Sequence, residues 1–449
     1  MGGGQSLLAA AGDAAKNNRA ELDWSHRRTA DNPKLVTVVP PSFVSQLLGS
    51  ALTDLRLSGN GIKQLPASFG RLGALERLAI DHNQLVELPF SLSNLTRLRS
   101  FDASWNELTS LHPTFCELQS LQRLWLHHNR LETLPAAFGD LHALERVFVQ
   151  NNMLSALPFS IVLLPRLTEL DASDNKICML PEEWETAPAV TTLRLTRNLL
   201  KQLPVGFGAL QQLDTLSLQS NRLLELPPAC ASLIHVRNLS LSSNRIDTFP
   251  RAAFHGMRHD LRVLTYVQNK LKAVDATLFE LTKLVYLDLS ENGLVDLPDD
   301  EDDDSNDDNH GASKGRRTWA CLEALEEFHV ANNKLTKLPR GIENLPALQF
   351  LNMSNNGLIE VSSAIGKLTR LHTLWLAGNQ LKHLPSELSQ CTKLTALLLD
   401  RNELQALPSS ITILPNLHTL NVDRKTFALL EPSVLTYCTA LPTFDILGL

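Results

Sequence analysis

Apolar and polar positions repeat along this chain with a period of 23 residues. Each repeat carries one asparagine, and all but two of the steps between successive asparagines are 23 residues long; the other two are 25 and 41. The fifteen asparagines are Asn60, Asn83, Asn106, Asn129, Asn152, Asn175, Asn198, Asn221, Asn244, Asn269, Asn292, Asn333, Asn356, Asn379 and Asn402. A fixed period of this length predicts a solenoid, in which each repeat forms one coil and the coils stack.

Leucines and other apolar residues keep fixed distances from each asparagine. Around Asn60 they are Leu52, Leu55, Leu57, Ile62 and Leu65. The alternating Leu-x-Leu part predicts a short strand with one buried face, which only stacking against neighbouring coils can cover. We expect the asparagine side chain to point inward and to bind backbone groups of adjacent coils, because its amide both donates and accepts hydrogen bonds.

A proline follows the asparagine by six residues in twelve of the fifteen repeats, and the exceptions are His112, Asp275 and Ser362. Proline fixes φ and donates no backbone hydrogen bond, so the segment after each strand should begin extended. An apolar anchor such as Phe69 or Phe207 comes next. We therefore expect short 3₁₀ or single-turn helices on the side opposite the strands.

The pattern L-x-x-L-x-L-x-x-N-x-L-x-x-L resembles the leucine-rich repeat family over roughly residues 50–430. The resemblance implies an α/β solenoid, a right-handed horseshoe with a curved parallel sheet of about 16–17 strands on its concave face. Short 3₁₀, helical or extended segments would form the convex side. The repeat length and the Leu-Pro pair are similar to the intracellular Ras-group proteins of plants and the related animal Ras-pathway scaffold.

Breaks in the repeat predict how the chain is organised. We expect a flexible tail over 1–20, a degenerate capping repeat over 21–50, leucine-rich repeats over 51–430 and a C-terminal cap over 431–449. The step of 41 residues contains an insertion, 299–316, whose run of carboxylates predicts a disordered acidic loop. Two interpretations of the insertion stay open: a solvated loop without function, or a docking or phosphorylation site at Ser305.

Composition excludes several classes of function. The net charge of −7 and the absence of a basic patch predict no nucleic-acid partner. The six cysteines lie about two or more coils apart, too far for disulfides, which favours reduced thiols in an intracellular protein. No membrane span, secretory signal, metal site, cofactor motif or catalytic motif is predicted. His82, His127 and His128 are placed too far apart, or on opposite sides of the strand, for zinc.

The first six residues match the M-G-x-x-x-[ST] pattern for N-myristoylation, with Gly2 as the acceptor and Ser6 as the hydroxyl residue. A single myristoyl chain binds membranes only marginally, so the modification would give peripheral binding at the inner membrane surface. The alternative is an unmodified tail of small residues.

Side chains six, four and two residues before each asparagine point away from the core, because strand side chains alternate. One stretch of these positions should place Trp125 beside Phe148, with Arg123 and Arg146 alongside, and tryptophan with arginine is typical of interface hot spots. A second apolar strip comprises Val263, Tyr286, Phe350, Trp375 and Leu398. The candidate partner-binding residues are Arg77, Asp102, Arg123, Trp125, His127, Arg146, Phe148, Asp171 and Trp375.

These observations predict a non-catalytic, monomeric binding scaffold or adaptor that works in the cytoplasm. The family resemblance implies a protein partner on the concave strand face and a role in signal transduction, with a small GTPase or a phosphatase as the partner class. Two alternatives stay open: a regulatory subunit of a phosphatase or other enzyme, and an immune-type ligand sensor.

Overall fold

The chain forms two compact units, Met1–Arg222 and Leu223–Leu449. A computed structural model describes residues 2–25, 36–184, 189–300 and 318–447. The strands described in the first unit are β1 (Glu21–Asp23), β2 (Asp54–Arg56), β3 (Arg77–Ala79), β4 (Ser100–Asp102), β5 (Arg123–Trp125), β6 (Arg146–Phe148), β7 (Glu169–Asp171), β8 (Thr192–Arg194) and β9 (Thr215–Ser217). Those described in the second unit are β10 (Asn238–Ser240), β11 (Val263–Thr265), β12 (Tyr286–Asp288), β13 (Glu327–His329), β14 (Phe350–Asn352), β15 (Thr373–Trp375), β16 (Ala396–Leu398), β17 (Thr419–Asp423) and β18 (Thr443–Leu447).

Within each unit, every strand pairs in parallel with the strand of the next coil. The middle residue of a three-residue strand is buried, and its two neighbours are at least partly exposed in every strand but β2. Leu124 and Leu374, for example, are at most 1% exposed. The alternation of apolar and polar residues in the sequence therefore corresponds to the alternation of buried and exposed side chains in the strands. The predicted α/β leucine-rich-repeat solenoid is confirmed.

Short 3₁₀ helices lie on the side opposite the strands, as predicted. Those described in the first unit are Ala67–Arg71, Phe90–Asn94, Pro113–Glu117, Phe138–Asp140, Phe159–Leu163 and Val205–Ala209. In the second unit they are Pro228–Ser232, Ala276–Glu280, Trp319–Cys321, Ile342–Asn344, Ser363–Lys367, Ser386–Gln390 and Ser409–Ile413. The repeat with the 25-residue step carries an α-helix instead, α3 (Arg251–Met257), because its two extra residues allow a longer turn.

The three repeats without the proline start their 3₁₀ helices with a different kind of residue. Pro66, like most of the other prolines, precedes its 3₁₀ helix in an extended conformation and makes no side-chain cap. His112, Asp275 and Ser362 occupy the same place, and each side chain accepts a hydrogen bond from the backbone N–H two residues later. A side-chain cap thus replaces the rigid φ of proline at these helix starts.

The asparagines form an asparagine ladder through the coils of each unit, as predicted. Asn129 is typical: its Oδ1 accepts from the backbone N–H of Leu108 at 2.9 Å, and its Nδ2 donates to the carbonyls of Ala103 at 2.9 Å and Leu126 at 3.0 Å. Leu108 and Ala103 belong to the preceding coil. Each such amide therefore satisfies buried backbone groups of two coils at once.

The residue immediately before each asparagine adopts the left-handed conformation in all fifteen repeats. Thirteen of these residues are not glycine, and the glycines are Gly59 and Gly378. Trp105, for example, has φ of 52°. This conformation is uncommon for residues with a side chain. It turns the chain so that the asparagine points inward while the preceding side chain points outward.

The N-terminal segment differs from the expected flexible tail. Residues 2–16 form α1 (Gly2–Lys16), which packs against α2 (Pro41–Leu47). Leu7, Ala11 and Ala14 are at most 1% exposed. Their spacing of four and three residues places them on one helical face. The composition of small residues suggested a tail, and the apolar face within it accounts for the helix.

The C-terminal segment contains α4 (Arg424–Phe427), α5 (Pro432–Thr439) and β18. Tyr437 donates its hydroxyl to the carbonyl of Leu414 at 2.8 Å, which ties α5 to the last full coil. Eighteen strands are described rather than the expected 16–17, because Glu21–Asp23 and Thr443–Leu447 both add strands beyond the regular repeats.

Residues 301–316, most of the acidic insertion, lie outside the described residues, so the expectation of a disordered loop concerns a segment that is not described. The first two residues of the insertion, Asp299 and Asp300, are described. Asp300 Oδ1 accepts from the backbone N–H of Trp319 at 2.8 Å, and Asp299 Oδ1 accepts from the backbone N–H of Arg340 at 2.7 Å. Trp319 is fully buried and resumes the repeat, as its spacing predicts.

Candidate functional site

Two aromatic rings stack on the outward face of the sheet in the first unit. Trp125 of β5 and Phe148 of β6 are partners in the parallel register, so they lie one strand spacing apart. Their ring centroids are 5.9 Å apart and their planes differ by 8°. Both rings are partly exposed. The predicted neighbourhood of these two residues is confirmed.

Two arginines lie beside the rings, because Arg123 and Arg146 are also register partners. The Arg146 Nε is 3.9 Å from a Glu169 carboxylate oxygen, and the other oxygen of that carboxylate is bound by Arg194 at 2.6 Å. Arg123 is exposed and forms no ion pair with any residue in the described ranges. The surface thus offers one unpaired guanidinium next to stacked rings. We call Arg123, Trp125, His127, Arg146 and Phe148 the Trp125 patch.

Asp102 and Asp171 flank the rings on either side. Asp102 is the register partner of Trp125, and Asp171 is the register partner of Phe148. Asp102 Oδ1 accepts from the Ser104 backbone N–H at 2.9 Å and from its hydroxyl at 2.7 Å. Burial raises the pKa of the Asp102 carboxyl. One oxygen of Asp102 therefore stabilises the turn after β4. The sequence analysis did not predict this role.

Asp171 repeats this turn after β7, where its Oδ1 accepts from the Ser173 backbone N–H at 3.0 Å. The acidic margin of the Trp125 patch is thus held in place by the turns themselves.

His127 lies next to the rings with its Nδ1 buried. Among the described residues, neither this nitrogen nor the Oε1 of Gln150 in the following coil has a hydrogen-bond partner. Burial lowers the pKa of His127, and the neighbouring His128 lowers it further.

A second stack of rings was missed by sequence reasoning. Trp105 lies between His82, with ring centroids 5.3 Å apart, and His128, with centroids 3.6 Å apart. All three occupy the left-handed position before an asparagine, and Trp105 is 46% exposed. His128 also contacts His127 edge to face, with centroids 5.6 Å apart. The sequence contained a signal for this stack: His82, Trp105 and His128 occupy the same position in three successive repeats, and residues at one repeat position lie side by side.

Arg77 is not part of the Trp125 patch. It lies on β3, two strands from β5, and its Nε donates to Asp54 at 2.8 Å. Asp54 is 2% exposed and also binds Arg56 at 3.0 Å. Arg77 therefore pairs with a nearly buried carboxylate of the neighbouring strand. Its side chain lies on the outward face, as expected.

Trp375 lies in the second unit, within a different group of rings. Its centroid is 4.8 Å from that of Phe350, edge to face. His329, which was not among the candidates, lies 4.7 Å from Phe350 and 5.2 Å from Tyr286 by the same measure. We call Tyr286, His329, Phe350 and Trp375 the aromatic strip. Val263 and Leu398, also expected here, lie on the flanking strands β11 and β16.

The remaining candidates concern lipid, metal and thiols. Gly2 begins α1. None of the helices in the described part of the chain combines the length and apolar character that a membrane crossing requires. Over the same ranges, no three His, Cys, Asp or Glu side chains are placed to hold a metal ion. All six cysteines are free thiols, four of them buried and Cys178 exposed.

Comparison with known proteins agrees with this geometry. The family model for the leucine rich repeat matches residues 96–154, 165–223 and 211–265, and a model for two copies of leucine rich repeats matches 346–390. No curated protein sequence matches the chain. The solved structure of a leucine-rich repeat protein from Leptospira interrogans is 29% identical, with a TM-score of 0.77, and the alignment covers 91% of this chain and 97% of that one.

More distant structures share the fold alone. The functional domain of InlJ from Listeria monocytogenes is 18% identical with a TM-score of 0.65, covering 94% of this chain and 80% of that one. A plant peptide hormone receptor, RGFR1 in complex with RGF2, is 19% identical with a TM-score of 0.58, covering 91% of this chain and 73% of that one. The chain therefore contains segments that match leucine-rich repeat models, and it shares the solenoid fold of these structures. Leucine-rich repeat proteins generally act as protein-binding scaffolds.

Proposed function

We propose that this protein is a non-catalytic adaptor that binds a protein partner through the Trp125 patch. The observation that carries the proposal is the partly exposed stack of Trp125 on Phe148 beside the unpaired guanidinium of Arg123. Rigid aromatic rings and arginine provide most of the binding energy in many protein interfaces. Asp102 and Asp171 on the two sides would add polar contacts at the rim.

The partner class follows from the sequence resemblance to the Ras-group repeat proteins. We infer a role in signal transduction, a cytoplasmic location and a monomeric adaptor, with a small GTPase or a phosphatase as the partner. A regulatory subunit of a phosphatase or other enzyme is the closest alternative, and it requires the enzyme to co-purify in equal amounts. A ligand sensor is the second alternative, supported by the shared fold with a hormone receptor in complex with RGF2.

Affinity capture with quantitative mass spectrometry tests the proposal. The test variant is Trp125→Ala/Arg146→Ala, which removes an aromatic ring and an arginine from the outward face. The control is Phe159→Ala/Arg166→Ala, which likewise removes one aromatic ring and one arginine, but from exposed positions at and just after a 3₁₀ helix. The specific partner should fall by about thirtyfold with the test variant and stay constant with the control. Equal capture by both variants contradicts the proposal.

Membrane attachment through Gly2 is part of the same proposal. The M-G-x-x-x-[ST] match supports acylation of Gly2, which would hold the adaptor at the inner membrane surface. Intact-mass measurement of the chain from a eukaryotic host should show the added myristoyl group, and Gly2→Ala should abolish it. An unmodified mass for the unsubstituted chain contradicts this part and leaves the Trp125 patch untouched.

A further inference from the structure

The aromatic strip of the second unit has a chemistry different from that of the Trp125 patch. Its four rings run across β12, β13, β14 and β15, alternating between the first and last positions of the strands. Each ring contacts the next, with centroids 5.2, 4.7 and 4.8 Å apart in chain order. All four are partly exposed. The result is a continuous aromatic surface rather than a single pair.

Small residues form the floor beside the rings. At the position two before each asparagine, these coils carry Ser290, Ala331, Ser354 and Ala377. Ser290, Ala331 and Ala377 are at most 9% exposed. Their short side chains leave room along one side of the ring row, so the backbone of an extended peptide could lie there.

The strands that carry the aromatic strip also carry acidic side chains at their outward positions. Asp288 is on the same strand as Tyr286, and its Oδ2 accepts from the tyrosine hydroxyl at 3.4 Å. Glu327 is exposed and lies 3.5 Å from His329. Burial, together with Asp288, raises the pKa of Tyr286 to about 12, so the phenol stays neutral. On β12–β15 the outward positions carry carboxylates and no lysine or arginine.

We propose that the aromatic strip binds an extended, arginine-containing peptide segment of a partner protein. Guanidinium groups stack on aromatic faces and also pair with carboxylates through two parallel hydrogen bonds. Aromatic rings next to Asp288 and Glu327 offer both kinds of contact within one or two strand spacings. Lysine has the same charge but can form neither the planar stacking nor the two parallel hydrogen bonds. A lysine peptide should therefore bind more weakly than an arginine peptide.

The test measures peptide binding to the full chain by fluorescence anisotropy. The probe is a short fluorescein-labelled peptide of alternating arginine and alanine, with lysine–alanine and glutamate–alanine peptides for comparison. Phe350→Ala/Trp375→Ala should weaken arginine-peptide binding at least about fivefold. Trp125→Ala/Phe148→Ala removes two stacked rings from the first unit and should leave the affinity unchanged.

A second variant removes only charge. Asp288→Asn/Glu327→Gln should weaken binding at least about fivefold as well. Asparagine is compatible with the turn that Asp288 holds, because Asn352 already makes the same bond to the Ser354 backbone N–H at 3.0 Å. This variant therefore keeps the fold, and its loss of binding supports the proposal even where the ring variant is unstable.

Three results would overturn the proposal. They are equal affinity for the lysine peptide, preference for the glutamate peptide, and arginine-peptide binding that neither second-unit variant reduces. Self-association that Phe350→Ala/Trp375→Ala abolishes would instead identify a second copy of this chain as the occupant. The measurement is independent of the capture experiment on the Trp125 patch, so either hypothesis can fail while the other stands.

Discussion

At the scale of single residues, one side chain per coil connects neighbouring repeats. The amide of Asn129 accepts one backbone N–H and donates to carbonyls of two coils, with all three distances near ideal. No other side chain of this size has both groups in this geometry. The repetition of asparagine is therefore a hydrogen-bonding requirement.

Replacing Asn129 with alanine should destabilise the first unit by at least about 2 kcal/mol, because the buried Leu108 N–H and the carbonyls of Ala103 and Leu126 lose their partner. Urea unfolding followed by circular dichroism measures this. Asn94→Ala is the control, since Asn94 is an exposed residue in a 3₁₀ helix and outside the asparagine ladder. Similar losses for the two variants would show that the ladder contributes little.

The pH dependence of stability should reflect His127. Its pKa is lowered in the folded state, mainly by burial, so the unfolded chain binds a proton more readily. The contribution to stability is complete above the unfolded pKa of about 6.5 and is lost as the pH falls through the folded pKa. The loss of stability between about pH 7 and pH 5 should be smaller in His127→Gln than in the unsubstituted chain. Identical pH profiles would contradict this.

At the scale of elements, the start of each 3₁₀ helix follows one of two solutions, a proline or a capping side chain. Ser362 has φ of −61° and ψ of 144°, which proline also adopts, and its hydroxyl accepts from the Ala364 backbone N–H at 3.2 Å. The two solutions should therefore be interchangeable at this position. A residue with neither property should not substitute.

Ser362→Ala should lower the free energy of unfolding by about 1 kcal/mol, through loss of the cap. Ser362→Pro should be neutral or should stabilise by about 0.5 kcal/mol, because proline restricts the unfolded chain. Thermal and urea unfolding of both variants distinguish these outcomes. A proline variant less stable than the alanine variant would show that the two solutions are not equivalent.

Much of this element scale was predictable from the sequence. Leucine spacing, the strand parity of Trp125 and Phe148, and the extended start after proline all follow from local geometry, so those predictions are confirmed. The left-handed position before each asparagine was not predicted, because the coil imposes it on residues as different as His82, Trp105 and Arg197. The stack around Trp105 was missed for this reason.

At the scale of the whole molecule, the two units present different outward surfaces. The Trp125 patch combines rings with arginines, and the aromatic strip combines rings with carboxylates. A repeat architecture permits this, because the core positions are fixed while the outward positions are free to vary. The sequence resolved which positions face outward, but His329 became a site residue only when its ring was found between Tyr286 and Phe350.

The ends of the chain were the least predictable part. The α1 helix and strand β18 lie outside the period that made the repeats readable, and terminal coils differ because one side faces no further repeat. Leu7, Ala11 and Ala14 have the spacing of one helical face, but alanine is only weakly apolar, so the pattern predicts a buried helix only weakly.

Thiol accessibility offers a check on packing across both units. Burial raises the pKa of Cys230 to about 12 and that of Cys116 to about 11, whereas Cys178 is exposed. Cys178 should therefore react first with a thiol reagent in the native chain, and the buried thiols should react only on unfolding. Peptide mapping of the labelled chain measures this order, and early labelling of Cys230 would contradict the described core.

The most direct test of the central claim is hydroxyl-radical footprinting of the chain alone and bound to the partner obtained by affinity capture. Oxidation of Trp125 and Phe148 should fall on binding, while oxidation of the exposed Phe90 and Phe159, in 3₁₀ helices, should stay unchanged. Protection confined to Phe90 and Phe159, with Trp125 and Phe148 as reactive as in the free chain, would contradict it.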